Sequence, residues 1–182
     1  MSFTLSQLFY FACGQNAAHT WMPGGELLPV CQRCTGLYTG AAMALILHAW
    51  LRPRPTFAWC LVHSLLLLQM VPFGFHWVPQ DAVVRTLTGY LFGGGLIGCL
   101  WLLPAQWKAG KSPETPARGR TVVYSVLAST VLGAVLWLVQ AGPISAQILT
   151  GWIVLGFISL SVLSLLNLGA LGIRIAKKIR AR

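Results

Sequence analysis

Three cysteines and a histidine fall in one short stretch, spaced Cys13-x5-His19-x11-Cys31-x2-Cys34. Two thiolates three residues apart can reach one ion. A third cysteine and an imidazole would complete a tetrahedral Cys3His set of the zinc type. The Cys-x2-Cys half is a standard knuckle; the Cys-x5-His half is not. Pro23, Gly24, Gly25 and Pro29 break the connection into a loop that can bring the two halves together. Two other chemistries suit the same residues. Cys31 and Cys34 at a helix N-terminus, where a thiol pKa falls, would make a redox-active pair. No thioredoxin-like alternation of strands and helices surrounds them. The plainest reading is unligated thiols or structural disulfides packed in a loop. Cys60 and Cys99 lie inside apolar stretches and read as small buried apolar residues.

Other polar residues lie in apolar surroundings. His48 and His63 have the side chain needed to ligate haem or a chlorophyll-type magnesium. The plainer reading is a pair of hydrogen-bonded packing residues. Arg85 follows Asp81 by four residues, the favourable acid-first order. They read as a polar pair snorkelling to the membrane interface, with an anion or substrate site beneath the cysteine loop as the sharper alternative. The chain has no Walker loop, dinucleotide fingerprint, His-Glu-x-x-His helix or Gly-x-Ser-x-Gly elbow. Three acidic residues leave little for paired-carboxylate catalysis. Five unequal spans without a repeat argue against a stand-alone transporter.

The elements that must position these residues follow from composition. Of 182 residues, 56% are apolar and only 9% charged, against about 25% charged in a soluble domain, and mean hydropathy is +0.70. That excludes both a water-soluble globule and a disordered chain. Five stretches are long and apolar enough to cross a bilayer: 35–51 (extendable through 30–34), 56–75, 82–103, 121–140 and 144–168. The expected fold is all-α: a polytopic integral membrane protein with five transmembrane helices after a short half-helix and loop. Residues 1–34 form the outer Cys/His loop, 35–168 the helical domain and 169–182 a basic tail. Residues 1–13 are apolar but too short to span, and no basic residue precedes Arg33, as a signal peptide would need. Residues 108–120 read as a solvated loop. The tail reads as an interfacial amphipathic helix or, more plainly, a stop-transfer anchor. Gly36 and Gly40, Gly89 and Gly93, and Gly94 and Gly98 are small-xxx-small pairs. They predict that the first and third spans cross at these glycines.

Charge sets the orientation. Formal net charge is +10. With five spans, eleven of the thirteen Lys and Arg residues fall on one side; only Arg33 and Arg85 remain for the other. The positive-inside rule places the eleven in the cytoplasm and the cysteine-bearing N-terminus outside, in a cytoplasmic (inner) membrane. It also accounts for the basic balance without nucleic acid.

The run Cys31-Gln32-Arg33-Cys34-Thr35-Gly36-Leu37-Tyr38-Thr39-Gly40 resembles the signature of a family of small prokaryotic membrane proteins, domain of unknown function 2085. Cys13 with Gln15, and Arg85 with Thr88 and Gly89, match further positions, so the resemblance covers roughly residues 10–100. It departs where the family has His directly after the upstream Cys, here Gly14, and where an Asp-Gly pair is replaced by Phe73-Gly74. The resemblance implies a membrane fold and no particular reaction. The residues then point to a non-catalytic membrane protein carrying an outer zinc-type knuckle. It would be a structural or accessory subunit whose partners are the bilayer and other membrane chains. An accessory subunit of an electron-transfer or photosynthetic complex, holding haem or chlorophyll, is the first alternative. A membrane thiol-disulfide oxidoreductase is the second.

Overall fold

The computed structural model describes residues 5–52, 56–75, 77–101 and 117–180. Among these, seven α-helices run in the order α1 (Leu5–Phe9), α2 (Gln32–Leu51), α3 (Phe57–Leu68), α4 (Met70–Gly74), α5 (Ala82–Leu100), α6 (Ala117–Leu138) and α7 (Pro143–Arg180). Four apolar stretches have the length and composition to cross a membrane: α2, the joined α3–α4 stretch Phe57–Gly74, α5 and α7. Val122–Leu138 within α6 is a shorter apolar helix. The expected end of the third span at 102–103, loop residues 108–116, Arg54, His76 and Arg182 lie outside the described residues.

Consecutive long helices alternate in direction. At one end, the loop before α2 meets the starts of α5 and α7. Trp21 Nε1 donates to Thr86 Oγ1 at 2.9 Å, and Gly24 abuts the Pro143 backbone. At the other end, Asn167 Nδ2 on α7 donates to Leu100 O at the close of α5, at 3.0 Å. Tyr90 Oη ties α5 to Ala128 O on α6 at 2.9 Å. α2 is the most buried span and Phe57–Gly74 the least, so α2 is the hub and α3–α4 a peripheral, lipid-facing layer.

Local chemistry sets the helix bounds. Thr56 caps α3, its hydroxyl accepting Trp59 N–H at 3.1 Å. Pro72 lacks an N–H and its ring crowds the carbonyl four residues back, so α3 stops at Leu68 and a separate turn, α4, follows. Asp81 caps α5, Oδ1 accepting Val84 N–H at 2.7 Å. α6 begins at Ala117, inside the stretch read as loop. α7 runs unbroken for 38 residues through the expected boundary at 168.

The packing of α2 on α5 is backbone against backbone. A side chain on Gly36 would strike Thr86 O, and one on Gly40 would strike Tyr90 O. Reciprocally, Gly89 faces Arg33 O and Gly93 faces Leu37 O. Lipid is as apolar as leucine, so helices in a membrane hold together by such close packing rather than by water exclusion. Threonines next to these glycines return their hydroxyls to their own helix. Thr39 Oγ1 donates to Thr35 O at 2.7 Å and Thr88 Oγ1 to Val84 O at 2.8 Å, so neither hydroxyl is left bare when buried. On the other side of α2, Gly156 of α7 lies against Tyr38 O.

Gly36→Ala should therefore lower unfolding stability by about 1–3 kcal/mol, the usual cost of overpacking. Gly94→Ala, where open space surrounds the added carbon, should leave stability unchanged or raise it by up to about 1 kcal/mol. Loss of helical signal on detergent titration measures both.

Candidate metal centre

The cysteine site is built where α1 docks on the bundle. Phe9, fully buried, packs its ring on Tyr38 (centroids 5.6 Å apart) and edge-on to Phe157 (5.2 Å). The chain then turns, with Cys13 N–H donating to Phe9 O at 2.9 Å, and buries Cys13. A compact hairpin carries the chain to the knuckle. Leu28 N–H donates to Trp21 O at 3.0 Å, and Thr20 bridges Cys31 in antiparallel fashion. The tip at Pro23–Gly25 turns through positive φ at Gly24 (62°) and Gly25 (87°), conformations that favour glycine. Cys31 ends the hairpin as the extended N-cap of α2, and Cys34 follows in the first turn.

The thiols of Cys13, Cys31 and Cys34 converge, their Sγ atoms all within 4.8 Å of one another. Cys31 N–H donates to Cys13 Sγ at 3.3 Å. The Cys31 thiol, then the Cys34 thiol, hydrogen-bond to Cys13 and hold it well below the usual thiol pKa, outweighing the opposing effect of burial. The neighbouring thiols thus stabilise a single thiolate, at Cys13, by donating their protons to it; an ion held by all three sulfurs would have to displace those protons. A tetrahedral ion with metal–sulfur bonds of about 2.3 Å needs sulfurs roughly 3.8 Å apart, so this donor set fits after a small contraction. No disulfide joins the five cysteines, all of which are described.

The other sequence-derived candidates are placed as follows. His19 does not join the three sulfurs. It is exposed, at the end of the turn Ala17–His19, where it lines a cleft with Cys31. Asp81 caps α5, and among the described residues no ion pair joins it to Arg85, which faces that same cleft.

His48 and His63 meet near the far end of the bundle, ring centroids 5.9 Å apart. Trp59, Trp101 and Tyr124 stand around His48 at 4.9, 5.7 and 5.5 Å. Each histidine uses Nδ1 on the carbonyl one turn back, Ala44 O for His48 and Trp59 O for His63. His48 Nε2 is buried without a hydrogen-bond partner. Gly98 leaves room for the His63 ring.

The sequence puts Arg33 on the cysteine side and inside the Cys31–Cys34 run without giving it a role. The structure places it on the cleft wall, with Nη2 donating to Phe73 O at 3.3 Å and to Gln80. Its position between the knuckle cysteines was the available signal.

The family model described as "Predicted membrane protein (DUF2085)" matches residues 13–99, from the first cluster cysteine almost to the end of α5. An uncharacterized protein of Methanothermobacter thermautotrophicus (strain Delta H) is 34% identical over 93 residues, covering 48% of this chain and 83% of the relative. This chain belongs to the family. No solved structure matches it. For this family member, the matched segment contains all three converging thiols, α2 and α5, whereas α6 and α7 lie beyond it.

Because Phe9 seats the segment that carries Cys13, Phe9→Ala should loosen that seat, with a packing loss of about 3–5 kcal/mol. Alkylation of Cys13 in metal-free protein, followed by mass spectrometry, should accelerate while that of Cys60 stays unchanged.

Proposed function

We propose that this protein is a membrane-embedded, non-catalytic accessory or structural subunit whose cysteine cluster holds a zinc-type ion. The observation that carries the reading is the convergence of the Cys13, Cys31 and Cys34 thiols, from two distant segments, to within 4.8 Å. An odd number of thiols cannot all be paired in disulfides, whereas one ion uses all three. Bound there, the ion would tie the N-terminal segment and hairpin to α2; His19, exposed and apart from the sulfurs, would supply the fourth ligand only by moving in across the shared cleft. The family's description as a membrane protein supports a bilayer setting. Exposed glycines left open on the bundle surface, Gly133 and Gly151, suit contact with further membrane subunits.

On this reading the chain crosses the cytoplasmic membrane five times, with the cluster outside. The charge distribution supports it, since Arg52 and Arg174 to Arg180 lie at the end of the bundle opposite the cysteines. The outer side of a bacterial-type membrane is oxidising, and metal ligation would protect the thiolates there.

A second reading is a tetrapyrrole or similar cofactor on His48 or His63, favoured by the partnerless His48 Nε2. Against it, the rings already pack edge to face on His48 and would have to move for a macrocycle to enter. A thiol oxidoreductase using Cys31 and Cys34 is favoured by their place at the start of α2.

Elemental analysis of detergent-purified protein should find stoichiometric metal. Cys13→Ser, Cys31→Ser and Cys34→Ser should abolish it, Cys60→Ser and Cys99→Ser should retain it, and His19→Ala should weaken affinity roughly 10–100-fold. Metal-free wild-type protein sinks the proposal. A Soret or red absorption band would favour the second reading, and thiols cycling in cells would favour the oxidoreductase.

Alkaline phosphatase fused ahead of the cysteine loop should be active, and green fluorescent protein fused at the C-terminus should fluoresce. The reverse pattern overturns the orientation.

A further inference from the structure

We propose that the cleft between the cysteine loop and the N-terminal ends of α2 and α5 binds a phosphate-bearing anion. The cleft is about 220 Å³, and its walls include Gln15, Asn16, His19, Cys31, Arg33 and Arg85. Of the thirteen Lys and Arg residues, Arg33 and Arg85 are the two that remain once the charge distribution assigns eleven to the opposite side. They come from different helices, 52 positions apart in sequence, and face one cavity. Two guanidinium groups brought together repel one another, and a cation near a membrane is costly without a partner.

Among the described residues, no such partner is seen paired with either guanidinium. The chain has three acidic residues, of which Asp81 gives its carboxylate to the start of α5 and Glu114 lies outside the described residues, and no carboxylate is among the cleft's described lining residues. Arg33 Nη2 is held by Phe73 O and by Gln80, which fixes the side chain, while its Nε is buried with no hydrogen-bond partner. A buried donor left unsatisfied costs about 1–3 kcal/mol, a penalty that a ligand oxygen would remove once the guanidinium turns to meet it. Cys31, the N-cap of α2, borders the cleft, so the positive end of that helix adds to the field. His19 and Asn16 add polar groups on the loop side.

The chemistry that fits is a tetrahedral oxyanion. Guanidinium forks bind phosphate oxygens in pairs, and two forks from different helices can grip different oxygens of one group. Phosphate reaches such a site from two sources: free in solution, or as the headgroup of an anionic phospholipid in the same leaflet. The site stands on the arginines rather than the thiols, so it is separable from the proposed metal centre although Cys31 and His19 border both.

The test uses the full-length protein in detergent and in nanodiscs. Inorganic phosphate is titrated calorimetrically into the detergent sample. Nanodiscs of mixed phosphatidylglycerol and phosphatidylcholine are followed by native mass spectrometry for retained lipid. Binding of phosphate identifies the free anion as ligand, and selective retention of phosphatidylglycerol identifies the lipid; either supports the site. Arg85→Gln should weaken whichever binding is seen at least roughly tenfold, with Arg85→Lys intermediate.

Should Arg85→Gln fail to fold, the wild-type protein gives the same answer. Phenylglyoxal labelling of Arg85 should slow in the presence of phosphate or of phosphatidylglycerol. Cys34→Ser, which removes the proposed metal ligand without touching the cleft lining, should keep anion binding, so the two proposals fail separately. Absence of phosphate binding, lipid selectivity and protection in the wild-type protein overturns the inference. Binding that is equal in wild type and a folded Arg85→Gln overturns it as well.

Discussion

The structure depends on two helices meeting without side chains between them. Gly36 and Gly40 on α2 face backbone atoms of α5, while Gly89 and Gly93 on α5 face backbone atoms of α2. In water such an approach would be one contribution among many. In lipid, where burying another leucine gains little, it is what distinguishes the right pairing from the wrong ones. The contact also fixes the positions of functional side chains. It begins at the first turn of α2, directly after Cys31 and beside Cys34, and brings Arg33 to the side of α5 that carries Arg85. The register of the glycines therefore sets the relative positions of the thiols and the guanidinium groups.

The two ends of the bundle differ in chemistry. One end gathers three thiols, two arginines and an exposed imidazole around a hairpin. The other gathers two histidines among Trp59, Trp101 and Tyr124, packed edge to face. The first end is open and polar. The second is closed, with His48 fully buried. Phe9, Tyr38 and Phe157 form an aromatic layer that separates the thiol cluster from the interior of the bundle.

Much of this was legible because membrane constraints act locally. Apolar runs of sufficient length mark helices, and paired glycines four apart mark faces that can touch. The Cys31–Cys34 spacing marks a knuckle whichever way the rest of the chain folds. Less visible was anything that depends on a loop's path. Cys13 and His19 are equally plausible ligands by spacing, yet Phe9 anchors Cys13 into the bundle while the turn Ala17–His19 leaves its histidine on the surface. The Asp81–Arg85 spacing suits an ion pair, but the carboxylate is engaged by the first-turn N–H of Val84. Arg33 showed no role in the sequence beyond its place in the Cys31–Cys34 run, because its restraints, Phe73 O and Gln80, lie 40 and 47 residues away. Gly156 showed no partner in its own helix, and the backbone at Tyr38 that it accommodates belongs to another.

The length of α7 has a geometric consequence. At 1.5 Å per residue, its 38 residues extend about 57 Å, while the hydrocarbon layer is only about 30 Å thick. Tilting cannot absorb the difference, because even about 40° leaves more than 40 Å along the bilayer normal. One end must emerge, and the cluster Arg174, Lys177, Lys178 and Arg180 marks which. The helix is then a rigid strut. A displacement at Pro143, where Gly24 of the cysteine hairpin rests, would be carried the full width of the membrane to a cationic tip among the opposite headgroups.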